Sequence, residues 1–165
     1  MTESWLASSS RGVSLLQRLR DRQGGARTRL ARELRRVFLD VRRIATQLRS
    51  HGAKAPYPAH GNELRRLGEQ AEAQVALLAD QLRAFAGNPD PSDRVVPREG
   101  RNHWERLTGD LADLETLRRR YTETALRFDV EFPEAAGALG KLARSTGEMA
   151  TVVRGLLVRS DPHAA

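Results

Sequence analysis

The chain contains no cysteine, which excludes disulfide bridges and thiolate metal sites. It has no uninterrupted apolar run of the roughly 20 residues that a membrane-crossing helix needs. The nearest approach, residues 135–158, is broken by Lys141, Arg144, Glu148 and Arg154. The opening MTESWLASSSRG has neither a basic start nor a long apolar stretch, so no secretory leader is expected. Aromatic residues number only eight (Trp5, Phe38, Tyr57, Phe85, Trp104, Tyr121, Phe128 and Phe132). Most fall on apolar stripes, which argues against a platform for stacking nucleic-acid bases. Lysine is nearly missing: Lys54 and Lys141 are the two lysines among 28 basic residues.

The motifs that carry familiar chemistry are missing too. A di-iron carboxylate bundle needs Glu-x-x-His pairs facing inward, and none of His51, His60, His103 and His163 stands three residues after a glutamate. The segment GALGKLARST places Gly140 before Lys141, but Leu142 follows and no strand precedes, so it is no phosphate loop. There is no serine elbow and no dinucleotide glycine fingerprint. These absences point to a non-catalytic protein without cofactor or metal. With no leader and no spanning segment, a cytoplasmic location is the expectation.

What is present is charge and helical periodicity. The chain has 165 residues, of which 30% are charged and 39% hydrophobic, a size and composition suited to one helical domain, residues 1–165. Its net charge of +7 is unevenly placed. Residues 11–49 hold twelve arginines against three acids, whereas residues 50–165 hold sixteen basic and seventeen acidic residues. Arginine in place of lysine often reflects GC-rich coding, but coding bias does not segregate charge into one segment.

The apolar spacing predicts an all-α fold, an antiparallel bundle of four long helices in alternating up-down-up-down order, preceded by a short N-terminal amphipathic helix. Val13, Leu15, Leu16 and Leu19 place the short helix at 12–22, with 1–11 loose and Gly24-Gly25 breaking the chain after it. Thr28 then caps a helix whose seam is Leu30, Leu34, Val37, Val41, Ile44 and Leu48, ending at Gly52. Pro56 and Pro58 mark a loop, and a second helix runs from Asn62 to Ala86. Residues 87–101 form a long connector, either disordered or crossing one end of the bundle. Asn102 caps the third helix with Glu105 as its capping-box partner, and Trp104, Leu107, Leu111, Leu114, Leu117, Tyr121, Ala125 and Phe128 point inward. Pro133 opens the fourth helix. Its stripe Gly140, Ala143, Gly147 and Ala150 suggests a neighbouring backbone, either another helix of the chain or a second copy. Inward-facing polar residues are expected to be scarce: Thr146, with Gln74 and Arg118 as further candidates.

The first long helix carries the functional signal. With Leu34, Val41 and Leu48 at the a positions, Arg35, Arg42 and Arg49 fall at b, Arg29, Arg36 and Arg43 at c, and Arg32 at f. Seven arginines thus share the face opposite the seam, while Glu33 and Asp40 fall at g. Like charges three or four residues apart destabilise a helix by tenths of a kcal/mol per pair. A polyanion would relieve that through Arg–phosphate hydrogen bonds and counterion release. Two readings follow. In one, the face contacts an RNA or DNA backbone with low sequence specificity, as a small subunit of a larger assembly. In the other, the face is solvated or paired with Glu69, Glu72 and Asp80 of the second long helix. A different class of function, an adaptor or chaperone that meets other protein subunits or itself through the Gly/Ala stripe, is the alternative.

Overall fold

The computed structural model describes residues 10–85, 87–90 and 93–160, with side chains from Gln23 onward. Four helices make up the fold: α1 (Ser10–Ala53), α2 (Pro58–Ala84), α3 (His103–Phe128) and α4 (Pro133–Val158). The described residues are otherwise turns and extended connections, so the all-α class holds. Residues 1–9 and the side chains of 10–22 lie outside the described ones, and with them the amphipathic face expected over 12–22.

The expected break at Gly24-Gly25 is absent, because α1 passes through both glycines without interruption. Each glycine costs up to about 1 kcal/mol in a helix interior. Leu30 is fully buried and Ala26 nearly so, and burying one leucine offsets roughly 1.5–3 kcal/mol. Packing thus outweighs propensity. Thr28 is no cap either; its hydroxyl donates to the carbonyl of Gly24 one turn back, at 3.0 Å. At the far end Gly52 does not stop the helix, and its lack of a side chain serves packing instead. A Cβ on Gly52 would lie 2.9 Å from the carbonyl oxygen of Gly61, and one on Gly61 2.8 Å from that of Gly52. The two backbones touch there. Pro58 occupies the first turn of α2 rather than preventing it.

Contacts fix the directions of the helices. Arg27 donates to the carbonyl of Ala84, and Gly68 packs on Ala45 and Arg49, so α2 retraces α1. Arg154 bonds Glu115 at 2.5 Å and Phe132 meets Phe128, so α4 retraces α3. Between these hairpins, Gln47 meets Asp110, Asp40 meets Arg120 and Glu33 meets Arg127, so α3 opposes α1 and runs the same way as α2. The expected alternating order therefore gives way to up-down-down-up. The reason is the connector, which is long enough to return the full length of the molecule before α3 begins. A bundle with one long crossover is the result. Packing is most extensive within the two hairpins, smaller between α1 and α3, and least between α2 and α4. All four helices contribute to one apolar core.

Candidate functional site

The connector lies along the arginine helix. Arg35 donates to the Asp93 carboxylate at 2.8 Å. Arg42 donates to the carbonyls of Asp90 and Asp93, at 3.2 and 3.3 Å, with its guanidinium over the Phe38 ring. Farther along, both backbone polar groups of Arg98 are taken by α1: its N–H donates to Gln47 at 2.7 Å and its carbonyl accepts from His51 at 3.0 Å. Lys54 closes the series on Glu99. The described residues of the connector are neither loose nor wrapped over one end; they form a strap running lengthwise.

This divides the seven arginines. Arg29 and Arg32 are exposed and make no ion pair or hydrogen bond among the described residues. Arg36 is exposed and meets Glu33 of its own helix at 3.7 Å. Arg35 is half exposed on the strap, and Arg42 lies beneath it. Arg43 turns inward onto Asp113 at 2.9 Å. Arg49 pairs with Glu72 of α2 at 2.7 Å. Of the acids expected to neutralise this face, only Glu72 does so. Asp80 pairs with Arg83 in its own helix, and most of the neutralising groups come from the strap and α3. The open part of the cationic face is its N-terminal third, Arg29 to Arg36.

Sequence reasoning missed a buried polar network behind the strap. His51, Gln47 and Asp110 are essentially inaccessible to solvent. His51 Nδ1 lies 2.9 Å from both carboxylate oxygens of Asp110, and Gln47 Nε2 donates to Asp110 at 2.8 Å and to Asp113 at 3.0 Å. Burial alone would raise the Asp113 pKa, but hydrogen bonds from Arg43 and Gln47 and the charges of Arg43 and Arg98 outweigh it and hold the carboxyl below its usual range. A cavity of about 260 Å³ opens beside it, lined by Asp40, Arg43, Arg98, Asp113 and Arg120 among others. Those carboxylates and guanidiniums are already paired with one another. A second polar joint sits deeper, where Gln74 of α2 accepts from Tyr121 of α3 at 3.1 Å and from Thr146 of α4 at 3.2 Å. Burial, and next the charge of Asp40, push the Tyr121 hydroxyl pKa up.

Three helix ends meet in a histidine cluster. His60 Nδ1 faces His103 Nε2 at 3.1 Å, with Tyr57 edge-on to both rings. One ring must donate and the other accept, so the bond suits two neutral imidazoles. The pKa of His103 is lowered by burial, then by His60 and Arg106; that of His60 by burial, then by Arg159. Both rings also sit in the first turns of their helices, where the dipole disfavours a cation. The two histidines were expected in a loop and at a helix edge; both are helical and buried. Since their folded pKa values lie below the ordinary 6.5, the unfolded chain binds more protons as pH falls. Their stabilisation is complete above about pH 6.5 and is lost progressively below it. Urea midpoints measured from about pH 7.5 down to about pH 5 should fall in the parent and fall less in the His60→Gln/His103→Gln variant; equal slopes would refute the assignment. Among the described residues, no group of three His, Asp or Glu side chains is placed to hold a metal ion.

The Gly/Ala stripe of α4 separates as well. Ala143 and Ala150 are buried. A Cβ on Gly140 would meet nothing within 4 Å, and one on Gly147 would meet only the Arg118 side chain, at 3.2 Å. The close backbone approach expected there is instead at Gly52 and Gly61. No helix among the described residues is long and apolar enough to cross a membrane. No protein-family model matches the chain, and no curated protein is significantly similar to it.

Proposed function

We propose that the chain is an antiparallel four-helix bundle that binds the backbone of RNA or DNA without catalysing a reaction, as a small subunit of a larger cytoplasmic assembly. In this reading α1 is the binding element. One observation carries it: Arg29, Arg32, Arg35 and Arg36 stand exposed together on one face of α1, and among the described residues only Asp93 and Glu33 oppose them. A face serving solubility alone would interleave acids, as α3 does with Glu115, Arg119, Glu123 and Arg127. Contacts are to phosphates, so affinity depends on salt and little on sequence. Arg42, Arg43 and Arg49 have intramolecular partners and contribute less than their number suggests.

Fluorescence anisotropy with labelled single-stranded RNA and DNA over a salt series tests this. Engagement of the three open arginines, Arg29, Arg32 and Arg36, predicts a log–log slope of about −2 for a single strand. Charge reversal at Arg29, Arg32 and Arg36 should abolish binding and leave the helical circular dichroism unchanged. A salt-independent signal, or no binding at low salt, refutes the reading.

A further inference from the structure

We propose that Arg35 and Arg42 form a phosphodiester subsite that the chain's own Asp93 fills in the free protein. The inference rests on the reading of α1 as a nucleic-acid-binding face and assigns part of that face a competing internal ligand. The two arginines stand one heptad apart at b positions, about 10 Å along the helix axis at 1.5 Å per residue. Asp93 engages both: its carboxylate takes Arg35 at 2.8 Å and its carbonyl takes Arg42 at 3.3 Å. A carboxylate and a phosphodiester present the same charge and a similar pair of oxygens to a guanidinium.

The strap is held unevenly. At Arg98 it is fastened by the buried side chains of Gln47 and His51 and by Asp113. Around Asp93 its backbone is held by Arg42 on the Asp90 and Asp93 carbonyls, and the Asp93 side chain by an ion pair whose side chains are 50% and 31% exposed. Exposed pairs of this kind hold weakly and weaken further with salt. Asp93 can therefore leave Arg35 while Arg98 stays in place. The subsite adjoins the open arginines, since Arg32 and Arg36 flank Arg35 on the same helix. A strand landing on Arg29, Arg32 and Arg36 is carried onto Arg35 and competes with Asp93 for it.

The test uses the full chain and a fluorescein-labelled oligo(dT) strand in anisotropy titrations across salt. Asp93→Asn removes the competing charge and should tighten binding about two- to fivefold, with a salt slope steeper by about 0.7 for each phosphate newly engaged. Asp93→Glu keeps the carboxylate and should bind like the parent. Thermal melts of both variants should match the parent within a few degrees, because the Arg98 anchor is untouched. A parent that binds while Asp93→Asn is unchanged or weaker overturns the subsite and leaves the parent reading standing. A parent that does not bind at low salt overturns both.

Discussion

Asp110→Ala should lower the stability of the protein by about 3–5 kcal/mol, the largest loss expected from any single polar substitution. The carboxylate is fully buried and accepts from His51 and Gln47, themselves buried. Removing it strands two donors that water cannot reach, and each stranded donor costs about 1–3 kcal/mol. His51 also holds the Arg98 carbonyl, so the strap loosens with it. Asp113→Ala should cost less, because its partners Arg43 and Arg98 are partly exposed and can turn to solvent. Urea unfolding followed by circular dichroism gives the order directly. A loss below about 1 kcal/mol for Asp110→Ala, or a larger loss for Asp113→Ala, would show that the network is not what fastens α1 to α3.

Gly61→Ala should destabilise by about 1–3 kcal/mol, although alanine is the better helix former. The added methyl would sit 2.8 Å from the carbonyl oxygen of Gly52. That oxygen belongs to backbone, so relief requires α1 and α2 to separate where they turn. Gly24→Ala and Gly140→Ala provide the control of opposite sign. A Cβ at either position meets nothing within 4 Å, so each should stabilise by up to about 1 kcal/mol through propensity alone. Thermal melts of the three variants decide the matter; a Gly61→Ala protein melting above its parent would mean the crossing gives way without cost.

Apolar spacing identified four helices, the α1 seam and the starts of α3 and α4. It placed five of the eight α3 seam residues correctly and three of them one residue off. The observed buried line is His103, Leu107, Asp110, Leu114, Leu117, Tyr121, Thr124 and Phe128, in which the alternation of four and three is unbroken. The apolar reading substituted Trp104, Leu111 and Ala125 for the polar members. Trp104 is 38% exposed, and Leu111 and Ala125 are only partly buried. Burying polar residues is costly unless they are bonded, so a reading confined to one helix has no ground for turning them inward. The partners of Asp110 lie on α1 and that of His103 on α2, more than forty residues away in sequence. At Asn102 the expected cap is present, its side chain accepting from the Glu105 N–H at 2.8 Å. Glu105 itself turns to the N–H and guanidinium of Arg101 instead.

One signal was available. Glu33, Asp40 and Gln47 recur every seventh residue on α1, as do Asp113, Arg120 and Arg127 on α3. Read in opposite directions, these sets pair Glu33 with Arg127, Asp40 with Arg120 and the Gln47 amide with Asp113, as flanking positions of coiled helices do. They are the contacts observed between α1 and α3. Pairing the two sets would have revealed that α3 opposes α1, and hence that the connector must span the bundle. The open arginine patch was legible only as part of a longer face. Which arginines the strap covers depends on where a chain without periodicity lies, and no local rule gives that.

The single long crossover has a consequence for anything tethered to the protein. Because α2 and α3 run the same way, α1 rises from the end where Phe85 meets Phe132, and α4 finishes at the other, with the charge of Arg159 felt by His60. α2, α3 and α4 are 26 or 27 residues long, about 40 Å at 1.5 Å per residue. The start of α1 and the end of α4 are therefore a full bundle length apart. A group joined to the start of α1 and one joined to the end of α4 are thus presented at opposite ends of the bundle.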